Sequence, residues 1–199
     1  MKGLRGRLAE ATQAAHERMH RHDGFAAAAA GQLDAGAYRD LLARLYGFYR
    51  PFEADFDLAP PDLAEAIGLR ERARTPALAA DLRALGGGLD VETLPKCAGL
   101  PARSSEPQWL GSLYVTEGST LGGAEIAAAL DRAGFARAQR GYFESYGARR
   151  GLMWRHFLAR LEIHAQDPEA VAQAAAAAEA HFDAFETWMR DWRGAAEAP

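Results

Sequence analysis

The chain has little cysteine, little valine and no long apolar run, and each shortage excludes something. One cysteine among 199 residues, Cys97, permits no disulfide framework and no Cys-x-x-Cys metal cluster. Three valines argue against a strand-rich fold, because β-branched residues favour strands. No uncharged stretch approaches the roughly 20 residues of a membrane-spanning helix. The start, MKGLRGRLAEATQAAHERMH, is broken by charge every few residues and lacks the apolar core of a signal peptide. A cytoplasmic protein without a membrane partner is the expectation. Basic excess is also missing: 23 Lys+Arg against 27 Asp+Glu give a net charge of -4, which opposes general nucleic-acid binding. No repeat of 20–50 residues and no Pro/Gly/Ser-rich linker divides the chain, so one domain over residues 1–199 is expected.

What is present points to helices. Alanine runs at Ala26–Ala30 and Ala174–Ala178 favour them. Leu4, Leu8, Ala11, Ala15 and Met19 form one apolar stripe, and Tyr38, Leu41, Leu42, Leu45, Phe48, Tyr49 and Phe52 form a second. Pro51 is expected to kink or end that second helix. Pro60-Pro61, Thr75-Pro76 with Thr75 as the cap, Glu106-Pro107 and Asp167-Pro168 read as helix starts, and Gly86-Gly87-Gly88 as a stop. Residues 89–105 and 135–147 read as irregular. The expectation is an all-α fold, a bundle of about seven helices.

One helical stretch departs from this economy. Between Leu113 and Ile126 lies Gly118-Ser119-Thr120-Leu121-Gly122-Gly123, although each glycine in a helix interior costs about 1 kcal/mol relative to alanine. Three readings are open: a helix end and restart, close helix–helix packing, or a kinked helix whose backbone approaches a flat ligand. A phosphate loop is disfavoured, since no strand precedes it and no Gly-Lys-Ser/Thr follows.

Of six histidines (His16, His20, His22, His156, His164, His181), His16 borders the apolar stripe of the first helix. There a neutral imidazole suits haem iron. His16 and His20 are also one turn apart, a spacing that suits a chelated metal. A di-iron site of the ferritin type would need Glu-x-x-His on two helices, and none occurs.

The segments LRGRLAEATQAAH, LYVTEGSTLGG and SYGARRGLMWRHFLARLE, in this order, resemble the haem oxygenases, particularly the bacterial members associated with bacteriophytochromes. The resemblance runs from about Leu4 to Trp188. It implies a haem-oxygenase-like helical bundle that cleaves haem with O2 and reducing electrons to biliverdin, CO and ferrous iron. Haem is then both substrate and oxygen-activating cofactor. The implied partners are an electron donor, such as a ferredoxin or a reductase, and a bacteriophytochrome that takes the bilin.

By the same resemblance, His16 is the proximal iron ligand, and Gly118, Gly122 and Gly123 belong to the helix over the other haem face. Gly118, Ser119 and Gly122 form the catalytic set, and Arg155 pairs with a haem propionate. Arg149 or Arg150 is implied as a second propionate contact. Ser119 replaces the aspartate many members carry after the first glycine. His20 stands where the family usually has an acidic residue to accept the N–H of the proximal ring. Two other readings stay open: a haem or bilin carrier of this fold without turnover, and a helical scaffold acting on another small molecule. Cys97 reads as a small buried residue in a loop.

Overall fold

The computed structural model describes residues 3–192. Residues 1–2 and 193–199, part of the expected domain, lie outside the described residues.

Nine α-helical segments and five 3-10 turns, with no strand, make up the described residues. The helices are α1 (Leu4–His20), α2 (Asp23–Ala30), α3 (Ala35–Ala54), α4 (Pro61–Ile67), α5 (Thr75–Ala84), α6 (Glu106–Arg132), α7 (Gly141–Glu144), α8 (Arg150–Glu162) and α9 (Pro168–Met189). The all-α expectation holds, with more segments than the seven expected. The extra ones are short. The alanine run α2 is set off from α1 by two residues, and α7 is a single turn within the stretch read as irregular.

Both predicted stripes are buried, with one substitution. Leu4, Leu8, Thr12, Ala15 and Met19 face the core of α1, Thr12 donating its hydroxyl to the Leu8 carbonyl at 2.8 Å. In α3 every predicted position is buried. Pro51, however, neither ends nor breaks α3, which continues to Ala54. Proline at position 51 leaves the carbonyl of Gly47 without its helical donor. The Cys97 N–H fills that place at 2.9 Å, approaching because Gly47 has no Cβ to collide with the Pro95 carbonyl. Cys97 itself is buried in its loop, as expected.

The punctuation is largely as read. Pro61, Pro107 and Pro168 sit in the first turns of α4, α6 and α9. Asp167 caps α9 by accepting the N–H groups of Glu169 and Ala170. At α5 the capping group is not Thr75: the Glu53 carboxylate, reaching from α3, accepts the N–H groups of Arg74 and Thr75. Helix α9 packs along both α1 and α6. Gly111 makes the α6–α9 approach possible, since a Cβ there would strike the Ala174 carbonyl.

Candidate functional site

A cavity of about 780 Å³ lies between α1 and α6, with α9 and α3 contributing to its walls. This lies within the range of roughly 300–1,000 Å³ usual for ligand and cofactor sites. On α1 the lining residues include Arg5, Ala9, Gln13, His16 and His20, a helical face beside the core stripe. On α6 they include Tyr114, Gly118, Ser119, Gly122 and Ile126, so that Gly118 and Gly122 sit four residues apart on one face. The rest of the wall is largely apolar and aromatic, with Leu45, Phe48, Phe182 and Phe185 prominent.

The glycine stretch is neither a helix end nor a restart: α6 is continuous through it, and no residue leaves the helical conformation. Its glycines divide by environment. A Cβ on Gly123 would lie 2.9 Å from the Phe143 carbonyl oxygen, so packing explains that position. Cβ atoms on Gly118 and Gly122 would meet nothing within 4 Å among the described residues. Nothing in the protein's own packing requires glycine at these two positions, and what they keep clear is cavity.

The hydroxyls beside them support the helix. Ser119 donates to the Thr116 carbonyl at 2.8 Å and Thr120 to the Glu117 carbonyl at 2.7 Å, back-bonds that leave each oxygen able to accept from a further donor. Tyr49 and Tyr142, which line the cavity with Ser119, have their hydroxyls 3.3 Å apart. Burial raises the pKa of both phenols, so they remain protonated.

His16 faces the cavity. Its ring lies edge-on to His20, with centroids 4.4 Å apart, and to Phe182 at 6.5 Å. Burial, then the neighbouring His20, lower its pKa, while Glu17 acts weakly the other way. The imidazole is thereby kept neutral with a lone pair available, which suits a metal ligand.

Arg155, expected at the site, and both candidates for the second propionate contact, Arg149 and Arg150, are not among the residues that line the cavity. Arg155 is exposed on α8 and does not line the cavity; the register of α8 turns Trp154 to the wall instead. Arg150 donates to the Phe143 and Glu144 carbonyls, and Arg149 faces Glu71 at 3.5 Å. Among the described residues, the arginines that line the cavity are Arg5 and Arg74.

Arg74 belongs to a buried network absent from the sequence reading. Glu117, 1% exposed, is ion-paired with both Arg72 and Arg74 and accepts the Tyr146 hydroxyl at 2.8 Å. Arg74 also donates to Ser145 Oγ at 2.6 Å and lies over the Tyr146 ring at 4.3 Å. Ser145 is held at φ 47°, unusual for a residue with a side chain. The network ties the centre of α6 to the segments on either side of it. Glu117 left one sequence signal: it occupies the apolar position one turn after Leu113. Arg72 and Arg74, in an ordinary charged run, left none.

The family model described as Heme oxygenase matches residues 2–191. A protein of Xanthomonas campestris pv. campestris (strain 8004) named Heme oxygenase is 38% identical over 161 residues, covering 80% of this chain and 92% of its own. Solved structures share the fold at lower identity. The haem oxygenase of Neisseria meningitidis, determined in NO- and CO-bound forms, gives a TM-score of 0.74 at 24% identity, covering 100% of this chain and 96% of that one. Heme oxygenase-1 of the cyanobacterium Synechocystis, in complex with haem, gives 0.77 at 17%, covering 97% and 93%. The enzyme of Leptospira interrogans gives 0.75 at 18%, covering 94% and 98%.

Proposed function

The chain belongs to the haem oxygenase family, and on that premise we propose that it cleaves haem to biliverdin, CO and ferrous iron with O2 and electrons from a ferredoxin or a reductase. The observation that carries the reading is the pair Gly118 and Gly122, whose missing side chains open a largely apolar cavity that His16 lines from another helix. A flat, largely apolar ligand with one metal needs a slot of this kind.

When bound, haem supplies the iron at which O2 is reduced and the ring that is cut. The chain's residues do the rest. His16, kept neutral by burial, offers its lone pair to the iron. Its ring neighbour on the same face is His20, a weaker acceptor than a carboxylate. Gly118 and Gly122 let the α6 backbone come close to the other face of the substrate. Ser119, with Tyr49 and Tyr142, supplies hydroxyl donors and acceptors there and no titrating acid. Gly123 keeps that wall packed against Phe143. For the propionates we assign Arg5, exposed on the α1 wall, in place of Arg155. Arg74 is already committed to Glu117, Ser145 and Tyr146.

Among the described residues no helix is long and apolar enough to cross a membrane. We place the protein in the cytoplasm, supplying bilin to a bacteriophytochrome, as the sequence resemblance implies.

The test is titration of the purified protein with haem, followed by ascorbate in air. Stoichiometric binding with a histidine-type Soret band, then its replacement by a broad red biliverdin band, is the expected result. Binding without bleaching would reduce the protein to a haem carrier. His16→Ala should remove the histidine-type spectrum. Because His20 lies one turn away in the same cavity, the double variant His16→Ala/His20→Ala is the decisive control, and an unchanged spectrum there would remove α1 as the source of the ligand.

A further inference from the structure

His181 sits on α9 with 0% exposure and lines the cavity wall together with Leu45, Phe48 and Thr116. Its ring meets the edges of Phe48 and Phe52, with centroids 5.2 and 5.0 Å away, and among the described residues neither ring nitrogen has a hydrogen-bond partner. A neutral imidazole carries one donor and one acceptor. Buried polar atoms are nearly always satisfied, by protein or by ordered water. The surroundings are aromatic, and the chain uses phenylalanine at positions 182 and 185 of the same helix, so an apolar ring would have met the packing needs of this wall. Arg103, stacked over Phe52 and Trp109 at 4.9 and 4.7 Å, adds a nearby positive charge. Burial first, then that charge, push the His181 pKa down to about 3, so the ring stays a neutral donor–acceptor.

We infer that His181 holds an ordered water on the buried wall of the cavity, and that this water presents a hydrogen bond toward the substrate. His181 lines a cavity of about 780 Å³, and a water needs only about 10–15 Å³ of probe-occupied space. It is also polar enough. The Thr116 hydroxyl, on the same wall, donates to the Leu113 carbonyl at 3.2 Å and keeps its oxygen free to accept. Tyr49 lines the same cavity. His181 is thus a positioning residue that acts through the water and touches neither iron nor ring. Its role toward the substrate rests on the function proposed above, whereas the water itself belongs to the substrate-free protein.

The experiment uses both states. In the substrate-free protein, ¹⁵N-histidine NMR should show His181 neutral from pH 8 to pH 5, with its ring N–H cross-relaxing to a long-lived water. His181→Phe should abolish that signal without raising Tm, and His181→Gln, which keeps a donor and an acceptor, should retain a bound water. No water contact, together with a Tm for His181→Phe higher by about 2–4 °C, would overturn the inference, because the nitrogens would then simply be unsatisfied. In the loaded protein, His181→Phe is compared with the parent as the CO adduct. The C–O stretch of its CO adduct should lose the H2O/D2O shift that His181→Gln retains. A shift unchanged in His181→Phe would remove the water from the substrate's side. Failure of the parent protein to bind haem would defeat the functional reading and leave the NMR result standing.

Discussion

Replacing Gly118 and Gly122 by alanine should make the substrate-free protein more stable and the substrate complex weaker. Both glycines lie inside α6 with helical backbone, and a Cβ at either meets no atom within 4 Å. Neither alanine therefore carries a steric cost. Each recovers the glycine penalty of about 0.5–1 kcal/mol, or about 1–2 kcal/mol for the pair. In a domain of this size that corresponds to a rise in Tm of roughly 2–8 °C, readable by calorimetry. The two methyl groups occupy the space a ligand would use. Overfilling a packed contact costs about 1–3 kcal/mol, which is a 5- to 150-fold loss of haem affinity by titration. Gly122→Leu should abolish binding while leaving the helical circular dichroism intact. Gly111→Ala is the contrasting control: its Cβ would strike the Ala174 carbonyl, so Tm should fall. A double alanine variant that lost stability, or that bound haem as tightly as the parent, would refute the claim that these glycines clear space for a ligand.

Other consequences can be checked as directly. Glu117→Ala leaves the buried guanidinium groups of Arg72 and Arg74 without their counter-charge and should cost about 3–5 kcal/mol in urea unfolding; a loss below about 1 kcal/mol would show that the network is dispensable. Burial pushes the Asp81 carboxyl up to about 6, although it accepts the N–H groups of Gly141 and Tyr142. A carboxyl raised in the folded state contributes stability below its ordinary value near 4 and loses it as pH rises through about 6. Asp81→Asn should therefore gain on the parent between pH 4.5 and pH 7, and a difference constant with pH would contradict this. Arg5→Ala should weaken haem binding or alter the biliverdin isomer, while Arg155→Ala should change affinity by less than about twofold; the reverse order would return the propionate role to α8.

Several departures from the sequence expectations share one physical cause. Pro51 breaks nothing because a loop more than forty residues later supplies the donor that the Gly47 carbonyl lost. Arg155 misses the cavity because the packing of α8 sets its rotation about its own axis, and one residue of register exchanges Trp154 for Arg155. Thr75 does not cap α5 because Glu53 of α3 reaches across to do so. For Pro51 and Thr75 the partner is distant in sequence, and for Arg155 the packing surface of α8 is; local pattern carries no information about either. His181 is the opposite case. It falls on the apolar stripe of α9, four residues after Ala177 and one before Phe182, so its burial was legible from spacing even though its meaning was not.

By itself the sequence determined the helical class, most helix starts, the two core stripes of α1 and α3, and the two segments at His16 and Gly118–Gly123. Those features depend on backbone propensity, a period of 3.6 residues and order along the chain, all of which are local. Only the tertiary structure decided which glycines face a cavity and which face a carbonyl, which arginines line the cavity, and that Glu117 sits between two buried guanidinium groups. Propensity records what a residue can do within its own turn of helix. Whether the space beside it holds a neighbour or a ligand depends on how the helices pack together.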